Sequence, residues 1–352
     1  MGSAATAYAL SYSICQLVHG PLGDRAGAYR VVAWAACLSA LATAACALAT
    51  SFTGLVLLRL GAGAVAGAIG PLTLAWVSTS CSPEERPVAL ARMSAAAILG
   101  TAAGQAGGGV IGGLFGWPAV FVALSALFAG SGVALMLIAR QRPQVLFAGL
   151  QRDLSSAASP LLLVRRRGVV RVLAAVGVQG FAIALSLTYV GALLHERLRI
   201  GPAHAGLIVS FYGLGGIAFV LLAPRLIGLC RASVRAGIGG ATLGGSFVAL
   251  ALAHAQWSAV AALLAIGFGF LMLHNVLQVM AAHMAPDALS TSLSLFAAAS
   301  CLSQAIGAAA GGYLYDRAGS AAVCLLSAAL LTTLGVAVAI VIRKESPTAL
   351  GT

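Results

Sequence analysis

The chain has 352 residues, of which 61% are hydrophobic and only 8% are charged. Soluble domains are about 45–50% apolar and about 25% charged, so this composition excludes a soluble protein and predicts an integral membrane protein. Backbone polar groups must be paired inside a bilayer, and we therefore expect an all-α bundle.

Eleven apolar runs follow one another along the chain, each near the ~20 residues that a helix needs to cross the hydrocarbon core. Five come first, at residues 4–19, 31–50, 54–77, 93–114 and 118–138. Six come later, at residues 169–194, 205–224, 236–253, 257–284, 288–314 and 321–342. We expect an N-terminal bundle at residues 1–139, a cytoplasmic linker at 140–168, a C-terminal bundle at 169–343 and a tail at 344–352.

The basic residues are concentrated in alternate loops between the runs. The formal net charge of +12 suggests nucleic-acid binding, but 16 of the 20 Lys and Arg residues lie in these loops. This distribution is the positive-inside pattern, which sets topology and excludes a nucleic-acid partner. It places the loop at residues 19–30 and the C-terminus in the cytoplasm.

Chemistry-bearing motifs are absent from the sequence. The seven cysteines are scattered and never form a CxxC pair, so we expect no metal site and no disulfide framework. Walker loops, HExxH motifs and nucleophile elbows do not occur, and we expect neither a cofactor nor an enzymatic activity.

An internal repeat relates the two groups of runs. Shifted by 199 positions, residues 104–114 fall on residues 303–313, which aligns Gln105 with Gln304. Shifted by 203, SPEER at residues 82–86 falls on APDAL at 285–289. The repeat unit is then six helices, and the run at 169–194 has no counterpart. We therefore expect the first helix of the N-terminal half to be absent; chance similarity between Gly/Ala-rich runs is the alternative.

Three motifs resemble those of major facilitator superfamily transporters. GPLGDRAGAYR resembles the loop pattern G-x-L-x-D-R-x-G-R-R through Gly20, Leu22, Asp24, Arg25 and Gly27, with Arg30 nearby. LLRLGAG resembles the helix 4 pattern R-x-x-x-G through Arg59. Residues 100–109 resemble the antiporter pattern G-x-x-x-G-P-x-x-G-G through Gly100, Gly104, Gly108 and Gly109, with Gln105 in place of the proline.

The resemblance implies two pseudo-symmetric helical bundles, with about 11 transmembrane helices (5+6) of an expected 12. It further implies a carrier of the drug:proton or sugar-efflux antiporter branch in a bacterial inner membrane. We expect a monomer whose partners are a small-molecule substrate, protons and the lipid bilayer. The alternatives are an uptake carrier or facilitator and a truncated, non-transporting membrane protein.

The charged loop has a physical interpretation of its own. Gly20, Gly23 and Gly27 allow a tight reversal of the chain. Asp24 can be held by a helix N-terminus or by a neighbouring Arg. Such a contact on the cytoplasmic face is a latch that one conformation makes and another breaks. The alternative is a turn that only marks the inside through Arg25 and Arg30.

Arg59 is the one basic residue placed within or at the edge of a span. An intramembrane charge indicates function, and the resemblance implies proton coupling. The alternative is an arginine that snorkels to the interface. No Asp or Glu lies mid-span, so His274 is a second candidate for proton coupling.

The glycines at 100, 104 and 108 share one helix face, which predicts either a sliding surface between the halves or ordinary helix packing.

Polar residues within the spans nominate a substrate cavity. The candidates are Tyr8, Tyr12, Gln16, Gln179, Ser186, Tyr189, His274, Asn275, Gln278 and Gln304. Polar groups facing lipid are costly, so these side chains are expected to face the interior. For each of them the alternative is an interhelical hydrogen bond worth about 1 kcal/mol.

Overall fold

A computed structural model describes residues 2–82, 84–142, 160–285 and 288–345, and these residues form an all-α structure. The first half of the chain contains α1 (Gly2–Ala26), α2 (Ala28–Ala47), α3 (Phe52–Ala66), α4 (Ile69–Ser80), α5 (Arg86–Phe115) and α6 (Trp117–Gln141). The second half contains α7 (Pro160–Val164), α8 (Arg167–Leu187), α9 (Val190–Leu198), α10 (Pro202–Val209), α11 (Phe211–Leu229), α12 (Ala232–Ala251), α13 (Gln256–Met284) and α14 (Leu289–Glu345).

About eleven transmembrane segments can be counted among the described residues. Eight stretches are long and apolar enough to cross a membrane. One of them contains α14, which consists of two helices that meet at Gly319, where the backbone has a φ of 78°. Two further helices, α1 with 25 residues and α5 with 30, are long enough to span. The predicted all-α membrane fold is confirmed.

Three predicted single runs are each built from two helices. The run at 54–77 overlaps α3 and α4, the run at 169–194 overlaps α8 and α9, and the run at 205–224 overlaps α10 and α11. At the first break, Ala68 N donates to Val65 O across a tightened turn. Hydropathy does not reveal such a break, because the residues around it are as apolar as those on either side.

Unit 1 is a compact unit formed by the described residues of Met1–Arg86, Ala103–Val170 and Ala281–Ala298. Its helices are joined mainly through small residues and a few polar contacts. Between α2 and α6, Tyr29 Oη donates to Leu135 O at 2.8 Å and Ser125 Oγ donates to Ala40 O at 2.8 Å. Between α1 and α3, a Cβ at Gly67 would lie 2.6 Å from Tyr12 O, so only glycine permits this approach.

Unit 2 is formed by the described residues of Pro87–Ala102, Arg171–Met280 and Ala299–Thr352. Its α12 and α14 meet where a Cβ on Gly240 would lie 2.6 Å from the Cα of Gly335. Between α8 and α14, Ser327 Oγ donates to Ala182 O at 2.6 Å, and the oxygens of Ser186 and Ser327 are 2.6 Å apart. Backbone approach at small residues and interhelical hydroxyl bonds are typical of membrane helix packing.

The two units are interleaved along the chain, since α5 and α14 each contribute residues to both. The division into residues 1–139 and 169–343 stays a prediction. Most of the expected linker, at residues 143–159, and the tail beyond residue 345 lie outside the described part of the chain.

Candidate functional site

The charged loop is more helical than its glycine content predicts. Helix α1 continues through Gly20 and Gly23 to Ala26, and the chain reverses only at Gly27, where φ is 87°. The expected reversal at Gly20 and Gly23 is therefore wrong. Their lack of a side chain allows close packing instead, because a Cβ at Gly20 would lie 2.7 Å from the Cα of Thr291.

Asp24 contacts the N-terminus of α14. Its Oδ1 accepts a hydrogen bond from Ser290 N at 2.8 Å, and its Oδ2 accepts from Thr291 N at 2.9 Å and from Thr291 Oγ1 at 2.5 Å. The first amides of a helix have no partner within the helix, and the helix dipole favours a negative charge there. The sequence left two partners open for Asp24, a helix N-terminus or a neighbouring Arg, and in the structure Asp24 contacts the helix N-terminus.

A further polar contact of unit 1 joins α5 to α13. Arg86 Nη1, at the start of α5, is 3.3 Å from His283 Nε2, near the end of α13. Leu22, Arg25 and Arg30, the other motif residues with side chains, are exposed. Ser290 and Thr291 were not predicted from the sequence as partners of Asp24. The run STSLS at the head of an apolar span was the signal that could have identified them.

Polar side chains of unit 2 gather around α13. His274 Nδ1 lies 2.8 Å from Oε1 of the buried Gln179 on α8, and the His274 ring stacks on Phe270 at 5.2 Å. Asn275 Nδ2 donates to Pro87 O at 3.0 Å, and Ser94 Oγ donates to Gln278 Oε1 at 3.3 Å. The predicted cluster on α13 therefore contacts two different helices, α8 and α5.

The polar residues of α1 divide between two environments. Tyr8 and Tyr12 stack with ring centroids 5.9 Å apart, and Arg59 of α3 places its Cζ 4.0 Å above the Tyr8 ring. Gln16 is fully buried, and among the described residues neither atom of its amide has a hydrogen-bond partner.

The remaining cavity candidates make structural contacts. Tyr189 Oη donates to Ala308 O at 2.8 Å, and the buried Ser186 hydroxyl joins α8 to α14. Gln304 is exposed, and its Nε2 donates to Ser300 of its own helix at 3.2 Å. The interhelical hydrogen bond, which the sequence left open as an alternative, is therefore present at Tyr189. A common substrate cavity for these residues stays a prediction.

The glycine pattern of α5 does not show close helix packing. Among the described atoms, a Cβ on Gly100 or Gly104 would meet nothing within 4 Å, and a Cβ on Gly108 would meet only Val120, at 3.8 Å. The packing interpretation is thus wrong at Gly100 and Gly104, because each already has room for a methyl group; the sliding surface stays a prediction. The side chain of Gln105 and the surroundings of Gly109 lie outside the described part of the structure.

Within the described ranges, no group of three or more His, Cys, Asp or Glu residues is arranged to hold a metal ion.

Comparisons with known proteins identify the family. A model of the Major Facilitator Superfamily matches residues 1–289 and 172–352, which together cover the whole chain. An uncharacterised MFS-type transporter of Bacillus subtilis, YceJ, is 30% identical over 147 residues. That match covers 41% of this chain and 36% of YceJ, so it spans only about a third of the relative's length.

Two solved structures share the fold. The human organic anion transporter MFSD10 (TETRAN) superposes with a TM-score of 0.77 at 18% identity, covering 96% of this chain and 83% of that one. The proton:xylose symporter XylE, bound to 6-bromo-6-deoxy-D-glucose, gives 0.73 at 16% identity, with coverages of 98% and 86%. The family model, the helical fold and the charged motif agree, and the chain belongs to the Major Facilitator Superfamily.

Proposed function

We propose that this protein carries a small organic solute across the membrane by alternating access, and that the contact between Asp24 and α14 holds its cytoplasmic side closed. Membership of a transporter superfamily supports solute transport. The gating role rests on one observation, the carboxylate of Asp24 bound to three donors of Ser290 and Thr291.

The contact has the chemistry of a reversible latch. It joins residues 267 positions apart, so breaking it separates two distant parts of the chain. All three donors and the acceptor can be hydrated when the contact opens, and Asp24 is only partly buried. Because intramolecular hydrogen bonds are exchanged for bonds to water, the net energy of the latch is modest and opening is accessible.

We further propose that transport is proton-coupled efflux in a bacterial inner membrane, with a cytoplasmic C-terminus and a monomeric carrier. The antiporter-like glycine pattern of residues 100–109 supports export. His274 and Arg59 are the candidates for proton coupling, and His274 already has a hydrogen-bonding partner in Gln179.

Uptake is the second candidate function. One protein with this fold is a proton:xylose symporter and another is an organic anion transporter, so the fold itself leaves direction and substrate open. Gln105 also stands where the antiporter pattern has a proline, and this difference weakens the case for export relative to uptake or facilitated diffusion.

Everted membrane vesicles with an acidified interior distinguish these functions. A panel of organic solutes is added, and proton release from the vesicles is followed by recovery of a pH-sensitive dye's fluorescence. We expect release that requires the protein and is reduced by Asp24→Asn, while Asp316→Asn, at an exposed acid of α14, has no effect.

Two other outcomes would contradict the proposal. Solute flux without proton movement would favour the uptake carrier or facilitator. The absence of flux for every solute would indicate a non-transporting membrane protein.

A further inference from the structure

Arg59 is a cation in contact with two aromatic rings inside a span. It is the eighth residue of α3 and is half-buried. At a rise of 1.5 Å per residue, its Cα lies about 10 Å along the helix from the first residue. Its Cζ is 4.0 Å above the Tyr8 ring centroid and 5.7 Å from the centroid of Phe121 on α6.

The ring contacts do not use the hydrogen-bonding capacity of the guanidinium. A cation over an aromatic ring is attracted by the ring's quadrupole, so the five N–H donors of Arg59 still require acceptors. Among the described residues, the two ring contacts of Arg59 are accompanied by neither a carboxylate partner nor a hydrogen-bond acceptor. A charge inside a membrane is costly when unpaired, so the geometry favours an anionic partner from outside the described residues.

The acidic residues of the chain cannot readily supply that partner. All eight lie in loops, tails or span ends: Asp24, Glu84, Glu85, Asp153, Glu196, Asp287, Asp316 and Glu345. Asp24, moreover, is already bound to the N-terminus of α14. The same distribution provides no mid-span carboxylate to attract a cationic solute.

We propose that Arg59 binds the anionic group of the transported solute, and that the substrate is an organic carboxylate or sulfonate with an apolar or aromatic body. The planar donors of Arg59 match the two oxygens of such a group. Tyr8 and Phe121 flank the guanidinium and offer apolar surface to the body of the solute, and the stacked Tyr12 extends it. This inference rests on the proposed transport function and adds a substrate class to it.

Matched pairs of probes that differ in charge test the inference. Dissociation constants are measured for benzoate and benzylamine, 2-naphthoate and 2-naphthylmethylamine, and fluorescein and rhodamine 123, using purified protein in neutral detergent. We expect the anionic member of each bound pair to bind more tightly by about tenfold or more, since hydrogen bonds to charged groups are the stronger class.

Substitutions assign the preference to Arg59. Arg59→Gln should weaken anion binding by about tenfold or more, and Arg59→Lys should keep the preference for anions with lower affinity. Arg317→Gln is the matched control, because this exposed arginine also stacks on a tyrosine, with its Cζ 4.2 Å from the Tyr313 ring centroid. It should change nothing. If Arg59→Gln does not fold, the wild-type preference and Arg59→Lys still decide the question.

Several results would overturn the inference. These are tighter binding of the cationic probes, no binding of any anion, and anion binding that survives Arg59→Gln. Loss of anion binding when phosphatidylglycerol is added would show that Arg59 pairs with a lipid headgroup instead. None of these results touches the Asp24 latch, whose proton-coupled flux assay uses other variants, so failure of this inference is distinguishable from failure of the proposed function.

Discussion

Replacing Asp24 by Asn tests the latch at its acceptor. Asp24 receives three hydrogen bonds, two on Oδ2 and one on Oδ1. Asn keeps a single carbonyl oxygen, and its NH₂ group cannot accept a bond from a backbone amide. A hydrogen bond to a charged group contributes about 1.5–3 kcal/mol, and the lost charge removes about 0.3–1 kcal/mol of interaction with the helix dipole.

These contributions are not additive, and we expect Asp24→Asn to destabilise the latched state by about 2–3 kcal/mol relative to the open state. That destabilisation corresponds to a factor of about 30–150 in the latch equilibrium. Amide hydrogen exchange measures it directly, because the amides of Ser290 and Thr291, in the first turn of α14, donate to Asp24.

Exchange at these two amides should accelerate by about 30–150-fold in Asp24→Asn, since their protection follows the latch equilibrium. Asp316→Asn is the control at an exposed acid on the same helix and should leave both rates unchanged. Unchanged exchange in Asp24→Asn, or equal acceleration in the control, would refute the interpretation of Asp24 as the acceptor that holds α14.

Two further predictions concern packing and the α13 cluster. Gly335→Ala should lower the free energy of unfolding by about 1–3 kcal/mol, because its Cβ would lie 2.6 Å from the Cα of Gly240. Gly245→Ala, with open space around it, is the control, and both variants are compared by chemical denaturation. In a double-mutant cycle of Gln179→Leu and His274→Leu, the 2.8 Å contact should give a coupling of about 0.5–1.5 kcal/mol. A coupling near zero would mean that the pair contributes nothing to stability.

The sequence predicted the class of fold because membrane spans leave a strong signal. Length and hydropathy identify a span without knowledge of its neighbours, so the predicted runs overlap the observed helices α1 to α6 and α8 to α14. The breaks at Ala68, around Thr188 and at Ser210 were missed, since each occurs within an uncharged stretch of the chain.

The candidate site was predictable only in part. The motif identified Asp24, and the helix dipole made a helix N-terminus a reasonable partner. Nothing in the sequence specified which helix, because α14 begins 265 positions further along the chain. Arg59 was conspicuous as a charge in a span, but its stacking on Tyr8 depends on the packing of α1 against α3.

The central claim is that the contact of Asp24 with α14 opens and closes during transport. The most direct test is amide exchange at Ser290 and Thr291 while reconstituted protein is carrying a solute identified in the vesicle assay. We predict that both amides lose protection during turnover and regain it when the solute is withdrawn. If they stay as protected during many turnovers as at rest, the contact remains closed throughout the cycle and is not the gate.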